Sequence, residues 1–140
     1  MTTPDQNTPG RPLAYQVSFE RLVELKRSAV AMVAERRPLS CPSRRIPDNE
    51  LTDPQNLVDE IAEHAAADGG FIRTEMPIQE IVFRVLLARR NEPALLRDLH
   101  YELTERWATP VRPINLTEAG LARILDADTY YGFARVDSGD

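Results

Sequence analysis

Five stretches of this sequence repeat apolar residues every three or four positions, and each is cut off by proline or glycine on at least one side. Such a pattern dictates a set of short amphipathic helices and excludes one long helix. The sharpest boundaries enclose "DPQNLVDEIAEHAAADGG". There Asp53 is an N-cap, Pro54 takes the first helical position, Leu57, Val58, Ile61, Ala62 and Ala65 share a face, and Gly69 with Gly70 stops the helix. Upstream, Ser18 caps an expected helix that runs to Arg36 and halts before Pro38, with Phe19, Leu22, Val23, Ala29, Val30 and Val33 on its stripe. A third helix starts near Pro77. Its apolar residues Ile78, Ile81, Val82, Val85 and Leu86 are widened by Phe83 and Leu87, which marks it as central. A fourth runs from Leu95 to Trp107 with Leu96, Leu99 and Leu103 inward, and Thr117 caps a fifth containing Leu121, Ile124 and Leu125.

The segments between these helices set the expected organisation. Residues 1–17, polar and rich in proline and threonine, read as a disordered tail; 18–37 as an amphipathic helix; 38–52, with prolines and arginines, as a linker; 53–136 as a helical domain; and 137–140 as a second tail. The stretch "TYYGFARV" at 129–136 reads as a strand. Alternation puts Tyr130, Gly132, Ala134 and Val136 on one face and Tyr131, Phe133 and Arg135 on the other. Two roles are open to it. The rings of Tyr131 and Phe133 pack over the helices and close the domain, or the aromatic and arginine side chains form a platform for a partner. Gly132 marks a bulge or a close backbone approach under either role.

From Pro77 onward the order is helix, loop, helix, loop, short helix, strand, and over 76–136 this resembles a winged-helix domain, a variant of the helix-turn-helix. The resemblance implies a mainly α fold: a helical N-terminal segment plus a winged-helix-like three-helix domain ending in a short β-strand. It also implies that Thr117–Asp126 is the helix that enters a DNA major groove. Here that helix offers Glu118, Arg123 and Asp126, followed by Asp128, a net negative face where cations are needed. Arg112 and Arg135 flank it as phosphate contacts, and no second strand follows to complete a wing. Members of the family that bind proteins with this fold supply the other implied role.

Charge and composition narrow the classes of activity. The chain has 140 residues, 42% of them apolar and 28% charged, enough for one domain with a real core. No apolar run reaches the roughly 18 residues of a membrane span, and the N-terminus lacks the basic-then-apolar order of a signal peptide, so a cytoplasmic protein is expected. A net charge of −5 argues against non-specific coating of nucleic acid. Locally the balance reverses: Arg36, Arg37, Arg44 and Arg45 surround Ser40, Cys41 and Ser43. That cluster grips phosphates or an acidic partner and lowers the pKa of Cys41, or it is a solvated linker with an inert thiol. His64 and His100 stand in no metal-ligand spacing, and no nucleophile elbow, phosphate loop or dinucleotide fingerprint occurs, so no cofactor and no metal are expected. Trp107 reads as an anchor at the end of its helix.

The resulting expectation is a non-catalytic regulatory or adaptor protein. Its binding surface is the fifth helix with Arg123, the strand residues Tyr130, Tyr131, Phe133 and Arg135, and the arginines of the linker and of the loop at Arg112. The Ser18–Arg36 helix folds back, self-associates or docks into a protein partner. A sequence-specific DNA-binding regulator and a small subunit of an enzyme complex are the alternatives.

Overall fold

The computed structural model describes residues 12–137. The tail expectations for 1–11 and 138–140 lie outside the described residues. Helix starts follow the capping residues. Asp53 accepts a hydrogen bond from the Gln55 amide ahead of α3 (Pro54–Ala65), and Thr117 accepts one from Gly120 ahead of α6 (Glu118–Ala127). Between them, α4 (Ile78–Ala88) buries six of its side chains, among them Phe83 and Leu86 with no exposure at all. It is the central helix that its wide apolar stripe implies. α5 (Leu96–Tyr101) continues into a π-helical turn, Glu102–Arg106.

The N-terminal third departs from expectation in three places. Leu13–Val17, assigned above to the tail, form β1, the middle strand of a three-stranded antiparallel sheet. Ala14, Tyr15 and Val17 are buried there, and that burial outweighs the proline-rich context that made the segment look unstructured. β1 pairs on one side with β2 (Ala94–Leu95) and on the other with β3 (Phe133–Asp137), in register from Val17↔Phe133 to Leu13↔Asp137. The fold is therefore helices with a small antiparallel sheet, mixed in character yet compatible with the mainly α expectation, and its last strand is one of three and does not stand alone.

Secondly, the 18–36 helix is two helices, α1 (Phe19–Glu24) and α2 (Ala29–Ala34). The break is a Schellman cap: Lys26 N–H donates to Val23 C=O and Arg27 N–H to Leu22 C=O, both at 2.9 Å, with Lys26 at φ 64°. Ser28 then caps α2 through the Ala31 amide. Lysine in the position usually held by glycine leaves no local signal of the break. Together the pair packs on its own domain, with Leu22 and Val33 fully buried, while Val23 stays 69% exposed.

Thirdly, 38–52 is no flexible tether. It forms two 3-10 turns, Pro42–Arg45 and Asp48–Glu50, with Cys41 and Ser43 buried. At the other end the strand is shorter than 129–136. The Asp128 carboxylate accepts from the amides of Tyr130 and Tyr131 at 3.0 and 2.6 Å and bends the chain, so pairing begins only at Phe133. Among the described residues, no helix is long and apolar enough to cross a membrane.

Candidate functional site

The residues expected to bind a partner divide into those that the fold consumes and those that it leaves accessible. Arg36 is consumed. Its guanidinium makes a bidentate pair with Glu80 of α4, both contacts at 2.9 Å, and a third bond to Met32 C=O. Glu80 also accepts from Arg84 Nε at 2.6 Å and from the Tyr131 hydroxyl at 2.8 Å. Burial alone would raise the Glu80 pKa, but the three donors override it and hold the carboxyl down at about 2. For Tyr131, burial and the Glu80 carboxylate push the phenol well above its ordinary value. Its ring lies 5.2 Å from Phe83 and 5.5 Å from Phe133, and Phe133 is 3% exposed. These two rings close the domain, the first of the two roles open to "TYYGFARV". Gly132 supports them with both properties of glycine: φ is +80°, and a Cβ there would sit 2.7 Å from Leu22 Cγ.

Arg37 is also drawn inward, bonded to Ala34 C=O and to the carbonyl and hydroxyl of Ser43. Arg44 donates to Arg37 C=O and, like Arg45, is exposed. Of the two readings open for Cys41, a lowered thiol pKa and an inert thiol, the surroundings oppose the first. Burial and the nearby Glu60 carboxylate raise the thiol to about 11, and the opposing pull of Arg37 and Arg44 is too small to offset them. Ser40 Oγ meets His64 Nδ1 at 2.8 Å on the surface. Among the described residues no group of three or more potential metal ligands occurs.

On α6 the exposed charged side chains are Glu118, Arg123 and Asp126. Asp126 is taken by Arg135 of β3, at 2.6 and 3.1 Å, and by the Tyr15 hydroxyl at 2.8 Å. That pairing raises the Arg135 pKa, while burial first and then Asp126 raise the Tyr15 phenol to about 12. Tyr130 is 39% exposed and lies under the Arg27 guanidinium at 3.8 Å. Arg112 spends its guanidinium on Met76 C=O at 3.0 Å. The expected surface therefore reduces to the Arg44–Arg45 pair of one 3-10 turn, Arg123 of α6, and Tyr130 in the segment before β3.

A site that sequence patterning did not isolate lies between α3, α4 and the π turn. It is an open groove of about 440 Å³. Its apolar lining includes Ala62, Ala65, Phe71, Val85, Ala88 and Trp107, of which Ala65, Phe71 and Val85 are buried and Ala88 is exposed. A second space of about 250 Å³ shares Val85, Arg89 and Glu102 with it and extends it toward Tyr101, which is 66% exposed. The π turn, closed by Trp107 N–H donating to Glu102 C=O at 3.0 Å, carries Trp107 to the groove's edge. There its indole N–H donates to Glu102 Oε1 at 3.3 Å and Arg106 stacks at 5.4 Å. Glu102 is thus engaged by Trp107 and Arg106, and Asp68 by the Gly70 amide. Arg89, whose side chain bonds only the Pro93 carbonyl, has no ion pair among the described residues and faces both spaces. The four alanines Ala62, Ala65, Ala66 and Ala88 were the only forewarning: small residues on two facing helices where larger ones would fill the gap.

Comparison with known proteins finds no match: no family model, no curated sequence and no solved structure resembles the chain.

Proposed function

We propose that this chain is a non-catalytic regulatory or adaptor protein that binds an apolar-faced segment of a partner protein, carrying an acidic residue, in the groove between α3, α4 and the π turn. The observation that carries this reading is the Arg89 guanidinium, without an ion pair among the described residues, in the lining of a groove that also presents Ala62, Ala65, Phe71, Val85 and Trp107. The small alanines in the lining let a partner's backbone come close, Phe71, Val85 and Trp107 meet its apolar side chains, and Arg89 takes its carboxylate. The order α4, β2, α5, α6, β3 supports a winged-helix-like frame, with β1 taking a place beside β3 that a further wing strand would fill. Within that frame the face of α6 remains acidic, which favours a protein over DNA as the partner.

The test is selection of a displayed peptide library on the protein. Enriched peptides are expected to space apolar residues by three or four with an acid beside them, to lose binding to Ala88→Trp, which fills the groove, and to bind Arg89→Ala about tenfold more weakly. Selected peptides that bind Ala88→Trp as well as wild type would overturn the proposal.

A further inference from the structure

A further cavity is lined in part by the arginine-rich segment, through Arg37 and Arg44. It measures about 630 Å³ and lies between α2 and residues 44–52. Its apolar part is Val30, Ala31, Ala34 and Leu51; its polar part is Ser28, Asn49 and Thr52; its charges are Arg37, Arg44, Glu35 and Asp48. Such a volume suits a small molecule.

Arg37 decides what that molecule is. Its side chain is only 8% exposed, an unusual place for a guanidinium. Nε and Nη1 are pinned by Ala34 C=O at 2.9 Å and by Ser43 C=O and Oγ at 2.7 and 3.0 Å. All three acceptors are neutral, so they fix the fork without cancelling its charge. Among the described residues the remaining nitrogen, Nη2, has one charged partner, Asp48 Oδ1 at 3.5 Å, longer than a normal hydrogen bond and on a side chain that is 90% exposed. Arg44, anchored to Arg37 C=O at 3.1 Å, brings a second guanidinium to the same wall. Of the two acids lining the cavity, Glu35 is 72% exposed and its carboxylate lies 3.7 Å from Arg36, a residue outside the lining, so it is not held on Arg37. Asp48 therefore stands where an oxyanion would sit, loosely and from solvent.

We infer that this cavity binds a small organic anion, with its phosphate or carboxylate head on Arg37 and Arg44 and its apolar body against Val30 and Leu51, and that Asp48 is a displaceable stand-in for the head group. The site uses no residue of the groove proposed for the partner protein and stands without it.

Calorimetric titration of the full chain with inorganic phosphate, phenyl phosphate and benzoate tests it, alongside amide chemical-shift mapping. Saturable binding of phenyl phosphate is expected, about tenfold tighter than inorganic phosphate because the ring is buried, with shifts at Ser28, Asn49 and Thr52. Benzoate bound as tightly as phenyl phosphate identifies a carboxylate head; weaker benzoate binding identifies a phosphate head. Arg37→Ala risks the fold, so the deciding variants are on the surface. Arg44→Ala should weaken phenyl phosphate and Asp48→Asn should tighten it about threefold, a gain that a merely structural Asp48 would not give. No saturation by any of the three probes at millimolar concentration, or Asp48→Asn binding no better than wild type, would overturn the inference.

Discussion

The Asn91 carboxamide binds both backbone groups of Val17: its Oδ1 accepts from Val17 N–H at 2.9 Å, and its Nδ2 donates to Val17 C=O at 2.8 Å. A side-chain amide thus replaces a peptide unit beside β1, where β2 has already ended as a two-residue strand. Asn91 reaches this position because α4 ends in a Schellman cap, with Arg90 and Asn91 at φ 62° and 59°. Asparagine tolerates that backbone better than most residues. Changing Asn91→Ala strands two buried groups and strains the turn, and should cost about 3 kcal/mol. Asn91→Gly keeps the turn and loses only the amide, for about 2 kcal/mol. Urea denaturation of both measures the difference; an Asn91→Ala loss under about 0.5 kcal/mol would show that water serves Val17 equally well.

Glu80 should set the acid limb of stability. Its folded pKa of about 2 lies below the ordinary 4.5, so the carboxylate contributes fully above pH 4.5 and the contribution disappears as pH falls from 4.5 toward 2. Glu80→Gln is expected to lose about 3 kcal/mol near neutral pH, because Arg36 is left buried without its anion, and to show a flatter stability profile in that acid window. Thermal melts at stepped pH give both numbers. Parallel acid limbs for the two proteins would place the titration elsewhere.

Arginine substitutions should separate by burial. Arg36→Ala is expected to destabilise by about 3 kcal/mol, whereas Arg44→Ala with Arg45→Ala should stay within about 0.5 kcal/mol of wild type. Chemical denaturation of the three proteins tests this. Equal losses would mean that the exposed pair also supports the fold.

Gly132→Ala should be among the costliest single-atom changes. The added carbon adopts a disfavoured φ and meets Leu22, and the expected loss is about 2–4 kcal/mol. Gly132→Ala combined with Leu22→Val should recover part of it if the clash dominates, and none if the backbone strain does.

Cys41 should be unreactive in the folded protein. With its thiol raised to about 11 and buried, disulfide reagents at about pH 8 should label it only as fast as the protein opens, and immediately in urea. Rapid native labelling would contradict the buried placement.

The parts legible in the sequence were those that act over three or four residues. Asp53, Ser18 and Thr117 announce their helices through bonds to amides two or three positions on, and the Phe83-bearing stripe of α4 announces its centrality. Lys26 hid the α1–α2 break because a residue at positive φ leaves no trace when it is not glycine. β2 is too short to carry an alternating pattern. The fate of the arginines was beyond local reading: Arg36 finds Glu80 forty-four residues away, and nothing around either residue marks the other. The groove was illegible for the same reason, since α3, α4 and the π turn must pack before Arg89 and Trp107 face one space.

β1 has consequences for the order of events on the ribosome. Both of its neighbours come later in the chain, β3 last of all, so the central strand emerges first and waits, with its backbone unpaired, while the helices are synthesised. Until Phe133–Asp137 is made, the β3 side of that strand presents unpaired backbone groups, a template for pairing with another molecule.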